Sequence, residues 1–257
     1  MSVLDSIISG VREDLLSRRM PFAQLLENLQ AQRPPLDAYA SLQKDEMNVI
    51  AEVKRSSPSK GALAEIADPA ALAATYQEAG AAAVSVLTEQ RRFGGSLADL
   101  DAVRSRIDIP ILRKDFMVDE YQFYEARAHG ADLVLLIVAA LSTSQLKDFY
   151  ELSEELGMSV LVEVHTHDEL ESAMEINPRM IGINSRNLKT LDVDAGVFSE
   201  LLPRIPQTVI RVAESGISTR RDVLHAAEAG ATAILVGESL VKSGDPISAM
   251  RELLGRR

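Results

Sequence analysis

The stretch Glu228-Ala229-Gly230-Ala231-Thr232-Ala233-Ile234-Leu235-Val236 joins the end of an amphipathic helix, a glycine and a short apolar strand. Glycine supplies the left-handed conformation in which helices commonly end, and the apolar run after it fits a buried, pleated surface. The same junction recurs at Glu78-Ala79-Gly80-Ala81, before Ala83–Leu87, and at Ala128-His129-Gly130-Ala131, before Leu133–Val138. A helix that repeatedly feeds a buried strand marks a parallel sheet whose strands are joined by crossover helices.

Outward from these junctions, the pattern predicts eight strands: Val49–Val53, Ala83–Leu87, Ile109–Leu112, Leu133–Val138, Ser159–Val164, Met180–Ile183, Val209–Val212 and Ala233–Val236. Helical patterns lie between them. Asp68-Pro69 begins Ala70–Ala79, Ser144 begins Gln145–Leu156, and Ser218 or Thr219 begins Arg220–Ala229; Gly157 closes a helix as Gly80, Gly130 and Gly230 do. Units of about 25 residues in an eightfold array close most economically as an α/β (β/α)8 TIM barrel, expected over residues 48–254. A doubly wound sheet would advertise a glycine-rich turn after its first strand, whereas Val53 is followed by Lys54-Arg55-Ser56-Ser57-Pro58-Ser59. Residues 1–45 read as a helical extension: Leu4, Ile7, Ile8, Val11, Leu15 and Leu16 recur at helical spacing, then Pro21 opens a helix carrying Phe22, Leu25, Leu26 and Leu29. Acidic neighbours favour docking of this stripe on the protein's own body over a membrane. The expectation is one domain over 1–257.

Composition narrows the partners. At 257 residues, with 46% hydrophobic and 25% charged residues, the chain is an ordinary globular one with a sizeable core. A net charge of −11 repels phosphate polymers and anionic lipid, so neither nucleic acid nor a membrane is an expected partner. The absence of cysteine excludes disulfides, thiolate nucleophiles and Cys-ligated metal sites. It is compatible with a cytoplasmic location, and no secretory signal is read at the start. The apolar run Leu133 to Leu141 is far shorter than the roughly 20 residues of a membrane helix.

Chemistry in such a barrel belongs at the C-terminal strand ends. These ends are unusually charged: Glu52 and Lys54 on one side of the first strand, inward if Ile50 is inward; Arg113-Lys114-Asp115-Phe116 after the third; Glu163 on the fifth; Asn184-Ser185-Arg186 on the sixth; Glu214-Ser215-Gly216 on the seventh. One such residue would be an ordinary strand-end ion pair. Lysines, glutamates and an asparagine converging on one mouth point to acid–base chemistry instead. Ser215-Gly216 and Gly237-Glu238-Ser239, after the last two strands, suit a phosphoryl group held by backbone N–H, with glycine permitting close approach and Ser57 joining from the first loop. His165 and His167 lack a third ligand at suitable spacing, and no metal or other cofactor is expected.

In this order, the motifs Ile50-Ala51-Glu52-Val53-Lys54-Arg55-Ser56-Ser57-Pro58-Ser59-Lys60-Gly61, Ser85-Val86-Leu87-Thr88-Glu89, Leu112-Arg113-Lys114-Asp115-Phe116, Leu161-Val162-Glu163-Val164-His165, Gly182-Ile183-Asn184-Ser185-Arg186-Asn187-Leu188 and Ala213-Glu214-Ser215-Gly216-Ile217 resemble the indole-3-glycerol phosphate synthase family. The resemblance implies a carboxy-lyase of tryptophan biosynthesis. It would cyclise 1-(2-carboxyphenylamino)-1-deoxyribulose 5-phosphate to indole-3-glycerol phosphate with loss of carbon dioxide and water. It implies Lys114 as the acid on the ribulose carbonyl, Glu163 in dehydration, and Glu52, Lys54, Asn184, Glu214 and Ser215 completing the catalytic set. Arg186 would bind the substrate carboxylate; Ser57, Gly216, Gly237 and Glu238 would surround the phosphate; Phe93, Phe116 and Leu135 would line the substrate site. General acid chemistry near neutral pH leads one to expect a lysine of lowered pKa. Where family members often carry two adjacent aromatics, this chain reads Arg91-Arg92-Phe93, leaving only Phe93. The chain is expected to be monofunctional and a monomer, with an oligomer left open. A phosphosugar isomerase or epimerase, or a non-catalytic phosphometabolite-binding barrel, are the competing readings.

Overall fold

The computed structural model describes residues 2–63, 65–188 and 190–256. Eight parallel strands close into a barrel: β1 (Asn48–Val53), β2 (Ala83–Leu87), β3 (Ile111–Lys114), β4 (Leu133–Ile137), β5 (Ser159–Val164), β6 (Met180–Asn184), β7 (Ile210–Glu214) and β8 (Ala233–Val236). Strands pair in chain order and β8 returns to β1, with Leu235 opposite Ile50, so closure removes the edges an open sheet would expose. The (β/α)8 barrel read from the sequence is therefore the fold.

The alternation of strand side chains splits the core in two. Ile50, Leu112, Leu135, Leu161, Met180, Val212 and Leu235 pack together inside the barrel. Val49, Ala51, Val86, Leu136, Val162, Ile183 and Ile234 belong to a second cluster, packed outward against the helices. Ile50 is thus inward, and Glu52 shares its face.

Three helices precede the barrel: α1 (Val3–Arg18), α2 (Phe22–Gln30) and α3 (Ala38–Ser41). Helix α1 buries Leu4, Ile7, Val11 and Leu15, the first three within the inner-barrel cluster, so it lies across the mouth of the barrel. Leu16 departs from the expected stripe. One residue beyond Leu15, it is turned about 100° away and stays 73% exposed. Helix α2 packs beside α6 (Tyr121–Ala128), where Phe22 meets Tyr124 edge to face at 4.9 Å. Tyr39 of α3 is buried and its hydroxyl accepts the N–H of Val160 at 2.9 Å, pinning the extension to the start of β5.

The barrel helices are α4 (Pro69–Glu78), α5 (Leu97–Arg104), α6, α7 (Thr143–Glu155), α8 (His167–Met174), α9 (Gly196–Leu201), α10 (Arg220–Glu228) and α12 (Pro246–Leu254), with a short α11 (Glu238–Lys242) ahead of the last. Gly80, Gly130, Gly157 and Gly230 follow their helices at positive φ, as the repeated junction requires. Element ends fall within two residues of expectation, and two of the differences have a clear physical cause. Strand β3 starts at Ile111 rather than Ile109, because Pro110 has no N–H for the ladder although its carbonyl still accepts from Val84 at 2.9 Å. The strand consequently carries Arg113 and Lys114 within the sheet. Helix α7 is capped by Ser142, not Ser144: Ser142 Oγ accepts the Gln145 N–H at 3.3 Å and Gln145 Oε1 accepts the Ser142 N–H at 3.1 Å. No helix among the described residues is long and apolar enough to cross a membrane.

Candidate active site

Lys114 closes β3 and turns into the barrel mouth, where strand alternation has already placed acids on β1, β5 and β7. Its Nζ lies 3.2 Å from Glu163 Oε2 and 3.7 Å from Glu214 Oε2. Glu163 Oε1 accepts from Asn184 Nδ2 at 3.1 Å, and Glu52 pairs with Lys54, two residues on at the end of its own strand β1. The three glutamates are 1–3% exposed, so their charges are compensated by one another's partners rather than by water.

Burial disfavours the Lys114 ammonium, but Glu163, Glu214 and Glu52 outweigh it and hold the amine above the usual lysine range. This corrects the expectation of a lowered lysine. Sequence spacing gathers the lysine and the acids at one mouth, but not the short distances at which the acids outweigh burial. Burial also opposes the charge of Glu163, yet Lys114, His165 and Asn184 hold its carboxyl below the ordinary range. Glu214 goes the other way: burial and the neighbouring Glu163 charge push it up to about 8 despite Lys114. The two carboxyls titrate as a pair, pulled apart by unequal company. Gly182 of β6 gives Glu214 its room, since a Cβ there would overlap Glu214 Oε1. That steric demand gave no signal in the sequence.

Above this cluster opens a cavity of about 490 Å³. Glu52, Lys54, Ser57, Phe93, Lys114, Phe116, Leu135, Glu163, Asn184, Arg186, Glu214, Ser215, Gly216, Gly237 and Glu238 all line it, so the structure brings every candidate to one space. Val3, Leu4 and Ile7 of α1 add an apolar wall. The Phe93 and Phe116 rings stand 6.2 Å apart and are tilted by 41°. Arg186 donates its N–H to Asn184 Oδ1 at 3.0 Å and Nη1 to the Leu191 carbonyl at 2.9 Å, which ties its guanidinium to the loop after β6.

At the far rim, Ser215 and Gly216 both take positive φ, 65° and 70°. A non-glycine residue in that conformation is strained and is held by its surroundings. A Cβ on Gly216 would press on Val193 Cγ1 at 2.8 Å and Ser185 Oγ at 3.2 Å, so glycine answers to backbone conformation and the adjoining β6–α9 loop as well as to any ligand. Glu238 accepts from Lys60 and Lys242, both at 2.7 Å, and thereby fixes two lysines at this rim. Neither lysine stood out in the sequence, because each becomes a rim residue only when the loops after β1 and β8 meet.

The loop after β2 explains the missing aromatic. Buried Glu89 accepts the N–H groups of Arg91, Arg92 and Phe93 at 3.1, 2.7 and 3.0 Å, shaping the turn that presents Phe93. Arg91 grips Asp14 and Glu13 of α1, and Arg92 Nη2 donates to Ser6 Oγ at 3.1 Å. The two arginines tie α1 over the mouth. His167, Asp168 and Glu171 gather on the outer side of α8, with Arg204 Nη1 2.9 Å from His167 Nε2; the group is a surface ion cluster away from the cavity.

A closed (β/α)8 barrel with an ammonium enclosed by carboxyls at its C-terminal mouth defines a barrel enzyme equipped for proton transfer. Comparison with known proteins agrees and goes further. The family model described as indole-3-glycerol phosphate synthase matches residues 4–253. The chain is 57% identical over 256 residues to indole-3-glycerol phosphate synthase 1 of Streptomyces coelicolor, covering 99% of this chain and 95% of that protein. It is equally 57% identical over 256 residues to the indole-3-glycerol phosphate synthase of Rhodococcus opacus, again across 99% and 95% of the two chains. Among solved structures, a chain of the tryptophan synthase α2β2 complex from Pyrococcus furiosus superposes with a TM-score of 0.61 at 17% identity, over 81% of this chain and 97% of that one, a likeness of fold alone. The chain belongs to the indole-3-glycerol phosphate synthase family.

Proposed function

We propose that the protein is a carboxy-lyase of tryptophan biosynthesis. It converts 1-(2-carboxyphenylamino)-1-deoxyribulose 5-phosphate to indole-3-glycerol phosphate, carbon dioxide and water. The observation that carries this reading is the Lys114 ammonium, 3.2 Å from Glu163 and 3.7 Å from Glu214, at the base of a cavity with an apolar wall on one side and a lysine-bearing rim on the other.

The substrate divides along the same lines. Its aromatic ring fits against Phe93, Phe116, Leu135 and the α1 side chains, and its phosphate against Ser57, Ser215, Gly216 and Gly237, with Lys54, Lys60 and Lys242 near. Glu238 serves there by holding Lys60 and Lys242, since its own charge would repel a phosphate. Arg186 faces the substrate carboxylate.

Ring closure forms a bond from the carboxyl-bearing ring carbon to the ketone carbon. The carbonyl π electrons move to oxygen, which takes a proton from Lys114. A lysine of raised pKa still serves, because the nascent alkoxide is a far stronger base than an amine. The carboxylate then leaves as carbon dioxide, and its bonding pair restores the aromatic ring. Dehydration next needs one group to protonate the departing hydroxyl and another to take a proton from the adjoining carbon. Glu163 and Glu214 flank Lys114 for these tasks, with Asn184 orienting Glu163 and Glu52 balancing Lys54. Neither step calls for an external nucleophile or a redox partner, and the chemistry is that of a soluble cytoplasmic enzyme.

The test is direct. Purified protein incubated with the anilino-deoxyribulose phosphate should generate indole absorbance and release carbon dioxide in equal amounts. Turnover of ribulose phosphates with no indole formed would sink this reading in favour of an isomerase.

A further inference from the structure

His165 follows β5, and the chemistry above leaves it without a task. Its side chain is 8% exposed. Glu169, in the first turn of α8, reaches back past the Thr166 cap: its Oε2 accepts the His165 backbone N–H at 2.7 Å and lies 3.0 Å from Nδ1. The ring therefore presents an Nδ1 proton to Glu169 and leaves Nε2 facing Glu163 Oε1 at 3.2 Å, outside hydrogen-bond alignment. A neutral ring would turn a lone pair on that carboxylate, which is repulsive. A carboxylate at each nitrogen favours the imidazolium.

The company of the two site carboxyls differs in the same sense. Glu163 meets donors at both oxygens, Lys114 on Oε2 and Asn184 on Oε1, with His165 beside the latter. Glu214 has Lys114 at 3.7 Å on Oε2, and its buried Oε1 has no hydrogen-bond partner. His165 touches only one of the two.

We infer that His165, held by Glu169, is a positioning residue that keeps Glu163 ionised and leaves the proton of the Glu163–Glu214 pair on Glu214. The inference rests on the proposed function, in which these carboxyls carry out dehydration. Glu163 is then the base that takes the proton from carbon, and Glu214 the acid that releases the hydroxyl as water. The charges acting on the ring are Glu163 of β5 and Glu169 of α8; Lys114 of β3 and Glu214 of β7 stand beyond Glu163, where Asn184 of β6 adds a neutral donor. Burial opposes the imidazolium, yet the two carboxylates push it up to about 10.

Two measurements test this. In an NMR titration of the histidine ring carbons of the wild-type chain, with the His165 signal identified through His165→Asn, His165 should stay doubly protonated to about pH 9; titration near the ordinary 6.5 overturns the proposal. In turnover assays, His165→Asn and Glu169→Gln should hold KM within about twofold and lower kcat by about tenfold or more. In His165→Asn the acid limb of kcat should move up by about one pH unit, because Glu163 protonates more readily once the cation is gone; in Glu169→Gln, which keeps the imidazole, the His165 titration itself should move down. Variants that lose stability but keep the wild-type pH profile show a structural residue and overturn it. Should His165→Asn fold poorly, Glu169→Gln and the wild-type titration still decide. If the wild type forms no indole product, the functional reading falls, while the titration continues to judge His165 by itself.

Discussion

Arg113 and Lys114 are consecutive residues of one strand, both cationic, and their surroundings are opposite in kind. Arg113 faces the helices with its side chain fully buried, 3.0 Å from Asp115 Oδ2 and 2.9 Å from Glu125 Oε2, while Arg18 of α1 closes on the other side of Glu125 at 2.9 Å. Arg113 Nε also donates to Thr88 and Nη1 to the Gln122 carbonyl. Two cations meet two anions there, and the Arg113 donors are matched. Lys114 faces the cavity, where Lys114, Lys54 and His165 meet Glu52, Glu163, Glu214 and Glu169, an acid in excess. Burial resolves the excess by raising the Glu214 carboxyl. A balanced buried network fixes a structure; an unbalanced one stores a movable proton.

Breaking the balanced side should give the largest effect. Arg113→Met strands Asp115 and Glu125 without their shared cation, and urea unfolding should show a loss of about 3–5 kcal/mol. A loss below about 1 kcal/mol would mean that the network is replaceable. On the cavity side the effect should be catalytic and not structural: Lys114→Met keeps the apolar stem but removes the proton, so kcat should fall at least about 10²-fold with KM and melting temperature largely retained. Loss of substrate binding alone would make Lys114 an electrostatic clamp instead.

Glu214→Gln sharpens the same contrast through pH. The folded carboxyl is neutral below about 8, against an ordinary 4.5, so it becomes charged as the pH rises through that value. Wild-type kcat should fall on this alkaline side. Glu214→Gln, neutral throughout, should lose that limb and about tenfold in rate at neutrality; a limb that persists unchanged belongs to another group. The smallest effect is expected where charges meet in solvent. Arg91→Ala releases Asp14 and Glu13 and loosens α1, raising KM by about two- to fivefold, and added salt should mimic it in the wild type. A KM that responds to neither would leave the hold on α1 to its apolar face.

Much of the fold was readable because its signals are local. The three Gly-Ala junctions, the short apolar strands and the Asp68-Pro69 and Thr219 starts each depend on a few neighbouring residues, and the eightfold alternation of strand and helix leaves little choice but closure. The boundary errors were local too: Pro110 delays β3, and Ser142 outcompetes Ser144 because only Ser142 stands three residues ahead of Gln145. The candidate site was legible as a set of charged strand ends, since alternation alone puts Glu52, Lys114, Glu163 and Glu214 on inward positions.

What the sequence by itself determined, then, is the barrel, its mouth and the kinds of groups gathered there. Tertiary structure alone decided their relations: that three acids hold Lys114 charged rather than depleted of its proton, that Gly182 makes space for Glu214, and that His165 stands against one carboxyl and not the other. It also decided that Arg91 and Arg92 bind α1 beside Phe93, and that Glu238 collects Lys60 from the loop after β1 and Lys242 from its own helix α11. The physical reason is range. Propensity and periodicity act between residues a few positions apart, whereas electrostatic energy depends on distances in space, which bring Lys114 to Glu163 and Lys60 to Glu238 from far apart in the chain, and on the burial that removes water from between them.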